Sequence, residues 1–543
     1  MADANRKIII SGAILIGVTS LASRLLGIYR DRLFSTTFGA GSELDAYFAA
    51  FRIPDTIFNL IVVGAVSSAF IPLFTDFLVK KNPAGAFRLA NNLANVLMLG
   101  LVLIAGIVFL IAPWLMPLLG PGMDQATRDL TLNLTRLMLL SPIFFGISNI
   151  ASGILNSYKK FFVYSLTPIV YNLAIIAGTI LLVPYWGIYG VAVGVIAGSL
   201  FHWLIQVPSI MKLGYRYRFW VDWKDKTLRH VLKLMAPRTL GLAVYQINLF
   251  VSTSIATTVA LGAVSIYNFA NNLQSLPYSV IGVSLSTTAF PVLAAAASAQ
   301  NRAEYVSTLA RTIRQIIFLI VPASILMLLL RAQIVRIILG AGQFDWEATI
   351  LTASTLGYFV ISLFAQSLVP LLAKAFYAIQ NTVTPVVVSI ISMAINIALA
   401  LCLVQSMGVA GIALAFSVSS FINMITLLLV LHVKMGGLED ARIIASTLKV
   451  IIASLVMALV VQGIAIDHEA TTFNIIPGIK GLVANLVDMQ TFWGVLAQAV
   501  LAGVVGIAAY LFIGWLLKIE EMDLMRGLVR RLVFWRRPIK KLH

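Results

Sequence analysis

The sequence predicts an all-α polytopic membrane protein, and two observations lead to that prediction: the composition and the long uncharged stretches. Of 543 residues, 60% are hydrophobic and only 11% are charged, and the mean hydropathy is +0.96, whereas soluble domains are about half apolar. Residues 161–211 and 375–433 contain no Asp, Glu, Lys or Arg. These stretches lack the alternation of a membrane β-barrel, so helices are expected to satisfy the backbone in lipid.

About 14 transmembrane helices can be placed along the chain, since about 20 residues suffice to cross a hydrocarbon core of ~30 Å. They are expected near residues 8–34, 43–79, 86–114, 125–157, 162–184, 188–211, 228–258, 262–299, 303–330, 347–379, 384–405, 408–433, 443–466 and 490–517.

An internal repeat organises these helices. Three short motifs recur in order: SSAFIP at residue 67 as TTAFP at 287, TPIV at 167 as TPVV at 384, and GIYGVA at 187 as GVAGIA at 408. The offsets are 220, 217 and 221 residues. Each copy spans six helices, an even number, so both copies have the same orientation in the membrane, like the parallel repeats of secondary transporters.

The repeat predicts two parallel-repeat six-helix lobes plus two C-terminal helices, a design suited to alternating access. The expected domains are an N-terminal lobe, a cytoplasmic linker, a C-terminal lobe, two extra helices and a basic cytoplasmic tail. Their bounds are 1–211, 212–227, 228–433, 434–517 and 518–543.

The distribution of charge predicts the orientation. The 39 Lys and Arg outnumber the 21 Asp and Glu, for a net charge of +18. They concentrate in 212–233 and after Trp515, so the positive-inside rule places both termini in the cytoplasm. The tail LMRGLVRRLVFWRRPIKKLH mixes basic and aromatic residues, and we expect it to bind anionic membrane lipid rather than RNA. No nucleic-acid partner is expected.

Other function classes find no support in the sequence. Cys402 is the single cysteine, and the five histidines show no metal-ligand spacing, so we expect neither a metal nor another cofactor. A Walker-type phosphate loop is absent, and the apolar start runs on without a signal-peptide cleavage site. The sequence therefore predicts a transporter rather than an enzyme.

Charges inside the first predicted helix are the first candidate site residues. An ionisable side chain at the bilayer centre costs about 2.5–3.5 kcal/mol on insertion scales, so it is expected to face a cavity or a partner. Arg24 and Asp31 are seven residues apart and fall on one helix face, which directs Arg24 toward water. Arg30 lies near the helix end, where snorkelling is an equal alternative.

The second predicted helix carries Asp45, Arg52 and Asp55. Asp45 lies three residues after Ser42 at the capping-box position, which explains it as well as a substrate role does. Arg52 lies seven residues further on the same face, and Asp55 follows Pro54, which is expected to interrupt the helix.

The eighth predicted helix repeats this device in the second copy. There Pro277 follows a polar run that includes Asn272. Arg238 and Lys374, in the seventh and tenth helices, are further candidates, each as a cavity charge or an ion-pair partner.

Several motifs resemble those of one known family. They are SRLLGIYRDRLFSTTFGAGSELDAYFAAFRIPDTI, GAVSSAFIPLF, APWLMPLLGPGM, KLMAPRTLGLAVYQIN, SLPYSVIGVSLSTTAFPVL and AFYAIQNTVTPVV. Together they resemble the MurJ/MviN family of lipid II flippases, members of the multidrug/oligosaccharidyl-lipid/polysaccharide exporter superfamily. The resemblance covers essentially the whole chain.

The resemblance implies a flippase of the bacterial cytoplasmic membrane that moves the undecaprenyl-pyrophosphate-linked peptidoglycan precursor to the outer leaflet. The head group would bind a cationic cavity, the last two helices would form a groove for the lipid tail, and cell-wall synthesis proteins would be partners. By position, Arg24, Arg30, Asp45 and Arg52 match family motifs, and arginine suits a pyrophosphate. The candidate substrate-binding residues are Arg24, Arg30, Asp45, Arg52, Asp55 and Asn272.

The sequence also departs from the family pattern. Basic residues common in the second and eighth helices are replaced by Phe58 and Asn272, and two common acids by Val63 and Asn381. A flippase for another polyprenyl-linked oligosaccharide is therefore an alternative. A cation-coupled drug exporter would need buried acids, which the later helices almost lack, and a membrane scaffold would not need Arg24.

Overall fold

The computed structural model describes residues 2–63, 70–468, 471–484, 486–488 and 491–523. Nearly all of this is helical, which confirms the predicted fold class. In chain order the helices are α1 (Ala2–Phe38), α2 (Ser42–Ile57), α3 (Ile71–Val79), α4 (Pro83–Leu119), α5 (Gln125–Met138), α6 (Leu140–Ser157), α7 (Phe161–Leu181), α8 (Val183–Trp186), α9 (Ile188–Leu204), α10 (Val207–Lys212), α11 (Lys226–Thr257), α12 (Ala263–Pro277), α13 (Ser284–Ser298), α14 (Arg302–Leu329), α15 (Arg331–Ile338), α16 (Trp346–Ile361), α17 (Leu363–Ala378), α18 (Val383–Met407), α19 (Val409–Met435), α20 (Asp440–Gln462), α21 (Ile479–Ala484) and α22 (Phe492–Leu516).

One antiparallel hairpin interrupts the helices, formed by β1 (Gly463–His468) and β2 (Thr471–Pro477). It lies where the sequence analysis placed only the end of a helix and an external loop.

The predicted membrane spans coincide with single helices or runs of consecutive helices. Among the described residues, ten helical segments are long and apolar enough to cross a membrane, and α16 with α17, bent by 45°, makes an eleventh. The other three predicted spans are those that contain Arg24, Arg52 and Arg238. The molecule is therefore a multi-pass membrane protein whose first, second and seventh predicted spans carry buried or half-buried polar groups.

Both predicted helix interruptions are present, and they take the same form. A π-helical segment, Phe58–Val63, follows α2 and its Pro54, and a second, Tyr278–Val283, follows α12 and its Pro277. Proline removes a backbone donor and so disturbs the i→i−4 ladder, and π-helical turns are frequent at functional sites. The two segments begin 220 residues apart, the offset of the first sequence motif.

Contacts divide the chain into two compact units. Unit 1 comprises Met1–Phe269, Ile338–Ala348 and Ala400–Ile412, and unit 2 comprises Ala270–Ile337, Thr349–Leu399 and Ala413–His543. Each has its own apolar core, around Phe74, Leu93 and Ile154 in unit 1 and around Ile316 and Phe376 in unit 2. The division by repeats into 1–211 and 228–433 stays a prediction.

In unit 1, three buried asparagines of α4 hold a strap, residues 213–222, through hydrogen bonds to its backbone. Asn91 Nδ2 donates to the Arg216 carbonyl at 3.0 Å, and Asn95 Nδ2 donates to the Arg218 carbonyl at 2.9 Å. Asn92 exchanges both hydrogen bonds with the backbone of Asp222. The asparagine side chains thus supply the hydrogen bonds that a neighbouring β-strand would otherwise give to the strap backbone. Buried backbone groups require such bonds.

Tyr215 and Tyr217 of the strap donate their hydroxyls to the same asparagines. The two O···O distances are 2.9 Å to Asn91 Oδ1 and 2.7 Å to Asn95 Oδ1. Burial raises the pKa of Tyr215 to about 12, so its hydroxyl remains a donor at physiological pH.

In unit 2, an ion network ties the segment after α22 to α14 and α20. Arg314 Nη1 lies 2.7 Å from Glu520 Oε2, and Arg314 Nε lies 3.4 Å from Glu521 Oε1. Arg442 Nη2 donates to Glu520 at 2.9 Å, and Ser446 donates to Glu521 at 2.9 Å. The hydrogen bonds from Arg442 and Arg314 hold the pKa of Glu520 below its ordinary value, so its carboxylate is ionised at neutral pH.

Replacing Arg314 by methionine is expected to lower the free energy of unfolding by about 2 kcal/mol, because it leaves the buried Glu521 without a cation. The value falls below the ~3–5 kcal/mol of a fully buried pair, since Glu520 is exposed and Glu521 keeps Ser446. Denaturant unfolding in detergent measures it. Arg442→Met is the control and is expected to lower the stability less, because Arg442 is exposed and its ion pair is screened by water. Equal losses in the two variants would contradict this prediction.

Candidate functional site

Arg30 is fixed by partners on two helices of unit 1. Its Nε and Nη2 donate to Asp31 Oδ1 at 3.1 and 2.8 Å, and its Nη1 donates to Asn172 Oδ1 on α7 at 3.2 Å. Asn172 in turn donates to Ser23 Oγ at 3.2 Å. Arg30 is thus paired within unit 1, and Asp31, which the sequence analysis placed on the same helix face as Arg24, neutralises Arg30.

Arg24 is the contrasting case. It lies on α1 and is half-buried. Among the residues that the structure describes, no hydrogen-bond acceptor or carboxylate pairs with its guanidinium. A half-buried cation without a partner in a membrane helix is a functional candidate, and its five N–H donors remain available to a ligand.

Arg52 on α2 is held in one orientation but keeps spare donors. Its Nε donates to Thr253 Oγ1 on α11 at 2.8 Å, and its Nη2 donates to Asn268 Oδ1 on α12. Both acceptors are positioned by their own helices, Thr253 by a bond to the Leu249 carbonyl and Asn268 by one to the Val264 carbonyl. No described residue accepts from Nη1 of Arg52, so this group can bind an anion in a fixed direction.

Asp55 lies one turn beyond Arg52, next to the proline. Its Oδ1 accepts a hydrogen bond from Asn59 Nδ2 at 3.0 Å, and the buried Gln246 of α11 also interacts with the carboxylate. Three helices and the first π-helical segment thus bring Arg52, Asp55 and Asn268 into one polar region of unit 1.

Asp45 caps a helix, but a different one from that expected. The N-cap of its own helix α2 is Gly41, without a side-chain hydrogen bond. Asp45, which is 4% exposed, instead accepts from Gly262 N at 2.8 Å, Ser265 N at 2.7 Å and Ser265 Oγ at 2.6 Å, at the start of α12. A carboxylate at a helix N-terminus accepts hydrogen bonds from the free N–H groups of that helix and interacts favourably with the helix dipole.

The remaining candidates are Lys374 and Asn272, which lie on separate helices of unit 2, and Arg238 of unit 1. Lys374 Nζ on α17 donates to Thr287 Oγ1 on α13 at 2.6 Å. Asn272 on α12 is half-buried. Arg238 lies in α11, and its side chain is outside the described residues.

Two of the four positions that depart from the family pattern, Phe58 and Asn381, make packing or hydrogen-bond contacts. Phe58 packs against Phe145, with ring centroids 5.0 Å apart. Asn381 Oδ1 accepts from Thr384 N at 3.1 Å, next to the start of α18. The side chain of Val63 is outside the described residues. In the described part of the chain, no group of three His, Cys, Asp or Glu lies close enough to hold a metal ion.

The sequence analysis missed Asn172 and Thr253, which orient the arginines, and did not place Asn268 among the site residues. The sequence could have indicated a polar contact of Asn172, because a lone asparagine within an apolar helix usually has a polar partner. It gave no such indication for Thr253, because serine and threonine are common in membrane helices, where they bond to the preceding turn.

Comparison with known proteins identifies similar chains. A family model described as Lipid II flippase MurJ matches residues 34–477. A protein of Burkholderia cenocepacia named Lipid II flippase MurJ is 29% identical over 428 residues, which cover 77% of this chain and 82% of that protein.

Two solved structures show the same fold. One, titled Lipid II flippase MurJ, inward closed conformation, has a TM-score of 0.75 and 26% identity and covers 94% of this chain and 100% of its own. The other, a multidrug resistance MATE family transporter of the MOP superfamily in an inward-facing conformation, has a TM-score of 0.67 and 16% identity, with coverages of 77% and 96%.

Proposed function

Because this chain belongs to the lipid II flippase MurJ family, we propose that it moves lipid II, the undecaprenyl-pyrophosphate-linked peptidoglycan precursor, from the inner to the outer leaflet by alternating access. It is a transporter and not an enzyme. The observation that carries the proposal is the pair of arginines in unit 1 with unused donors, Arg24 and Arg52.

The chemistry of the head group fits these side chains. A guanidinium presents a planar fork of donors, which binds phosphate oxygens with two parallel hydrogen bonds. Arg52 is oriented before any ligand arrives, so less side-chain entropy is lost on binding. Arg30, already neutralised by Asp31, would bind an anion only by exchanging that partner.

The other candidate residues have supporting roles in this proposal. Asp55 balances the charge of the neighbouring Arg52. Asn272 provides a neutral amide at a position where a basic residue is common in the family. Asp45 serves the helix start at Gly262 rather than the substrate. Arg238 and Lys374 stay candidates for cavity or ion-pair roles.

The cellular setting is part of the proposal. We place the chain in the bacterial cytoplasmic membrane with both termini inside, on the distribution of Lys and Arg. The basic tail 524–543, which is outside the described residues, would bind anionic lipid, and cell-wall synthesis proteins would be its partners.

Growth complementation tests the substrate. In cells depleted of their essential lipid II flippase, this chain is expected to restore growth. A folded, membrane-inserted chain that fails to restore growth would favour the alternative, a flippase for another polyprenyl-linked oligosaccharide. That alternative is based on Phe58 and Asn272, two neutral side chains at positions where the family commonly has basic residues.

Arg52→Lys is expected to raise the half-saturating concentration of lipid II by roughly tenfold, or about 1.4 kcal/mol. A single ammonium cannot bond Thr253 and Asn268 and also offer a directed fork to a phosphate. Transport into proteoliposomes, measured against substrate concentration, gives this value. Arg136→Lys is the control, since Arg136 lies in another membrane helix against Phe109. An unchanged half-saturation in Arg52→Lys would remove Arg52 from the site.

A further inference from the structure

An apolar cavity of about 730 Å³ lies in unit 1 under the strap and is separate from the arginine site. Its walls are the fourth and fifth turns of α4, the second half of α6, the end of α9, α10 and the strap itself. Representative lining residues are Met98, Ile150, Ile154, Trp203 and Val207. Its volume is within the ~300–1,000 Å³ of ordinary ligand pockets.

The strap keeps this cavity open. Asn91, Asn92 and Asn95 bind alternate residues of the strap through side-chain to backbone hydrogen bonds, so its backbone cannot collapse onto α6 and α9. Tyr215 and Tyr217 line the cavity with their rings, while their hydroxyls are already used by Asn91 and Asn95. The interior therefore offers apolar surface and no free hydroxyl from these residues.

Arg216 is the single charged residue of the lining. Its side chain is exposed and has no acceptor among the described residues. Three exposed lysines are close in sequence to lining residues: Lys159, Lys160 and Lys212. The nearest acid of the strap, Asp222, faces Arg88 at 3.9 Å. The cavity is thus an apolar chamber with one exposed cation, Arg216, in its lining.

An exposed arginine beside an apolar chamber is complementary to an amphiphile with an anionic head. The cavity lies at helix ends, where Trp and Tyr commonly mark the membrane interface. We propose that it binds one acyl chain of an anionic membrane phospholipid, with the phosphate on Arg216. Arginine forms charge-assisted hydrogen bonds with phosphate, and the preformed strap lowers the entropy lost on binding.

Native mass spectrometry of the delipidated full chain tests the site, with phosphatidylglycerol and phosphatidylethanolamine as probes. One phosphatidylglycerol is expected to bind at least tenfold more tightly than phosphatidylethanolamine. Arg216→Gln is expected to weaken that binding roughly tenfold, because a hydrogen bond to a charged group is lost. Arg218→Gln is the matched control and should bind as the original chain does, since Arg218 contributes only its backbone to Asn91 and Asn95.

A second variant tests the chamber. Ala151 is 2% exposed and lines the cavity. Ala151→Phe is expected to fill the cavity and to abolish the tight binding of phosphatidylglycerol. Equal binding by Arg216→Gln and Arg218→Gln, or no preference for the anionic head, would overturn the proposal. Displacement of the bound lipid by undecaprenyl phosphate, one for one, would also overturn it, because the cavity would then belong to the substrate tail.

Discussion

Replacing Arg24 by alanine is expected to abolish lipid II flipping while the protein still folds and inserts. Arg24 has no intramolecular partner in the described structure, so its removal breaks no ion pair or hydrogen bond. It would, however, remove the two charge-assisted hydrogen bonds of the fork to a pyrophosphate, each contributing about 1.5–3 kcal/mol, and together they correspond to a loss of more than roughly a hundredfold in apparent affinity. Growth rescue and transport into proteoliposomes measure the loss, and thermal unfolding in detergent measures the fold.

Two controls make the Arg24 result specific. Arg24→Lys keeps the charge and is expected to retain part of the activity, because an ammonium binds phosphate as a point charge. Arg136→Ala removes an arginine from another membrane helix and is expected to leave transport unchanged. Full growth rescue by Arg24→Ala would contradict the assignment and would suit a protein that acts as a scaffold.

Asp45→Ala is expected to lower the free energy of unfolding by about 3–5 kcal/mol. Gly262 N, Ser265 N and Ser265 Oγ would lose their acceptor, and an unsatisfied buried donor costs about 1–3 kcal/mol. Denaturant or thermal unfolding in detergent measures the change. Growth rescue should fall with the amount of folded protein.

Asp45→Asn separates capping from substrate binding. The asparagine oxygen can still accept from Ser265 N and Oγ, whereas its amide nitrogen cannot accept from Gly262 N, so this variant is expected to recover part of the stability and most of the transport per folded protein. Normal stability together with lost transport would show that the charge of Asp45 acts on the substrate.

Much of the fold is predictable because composition and length decide it. Uncharged stretches of helix length leave the backbone no other way to satisfy its hydrogen bonds in lipid. Pro54 and Pro277 predict the interruptions, since proline in a helix interior removes a donor from the hydrogen-bond ladder. The π-helical form of these interruptions, and the hairpin at Gly463–Pro477, depend on tertiary packing and have no local signal.

The site is predictable in its charges but not in its pairings. Arginines in apolar helices are visible in the sequence because their burial is unfavourable. Their partners are distant in the chain: Arg52 bonds Thr253 and Asn268, and Asp45 bonds Ser265, more than 200 residues away. Local rules therefore offered the start of α2 as the helix end that Asp45 caps, and they did not indicate the pairing of Asp31 with Arg30.

The linker shows the same limit. Its basic composition predicted a cytoplasmic segment, and nothing in its sequence alone indicates the asparagines of α4 that hold it. Asn91, Asn92 and Asn95 sit within the LANNLANVL run at the start of an apolar helix. Three amides there are a signal of a polar partner, but not of which segment provides it.

The most direct test of the account is transport of a head-group-labelled lipid II by the purified chain in proteoliposomes. The label should reach the opposite leaflet with the original chain and with Arg136→Ala, and not with Arg24→Ala, and a polyprenyl monophosphate oligosaccharide should be a poorer substrate. Equal translocation by the original chain and Arg24→Ala, or no translocation of lipid II by a folded, inserted chain, would contradict the account.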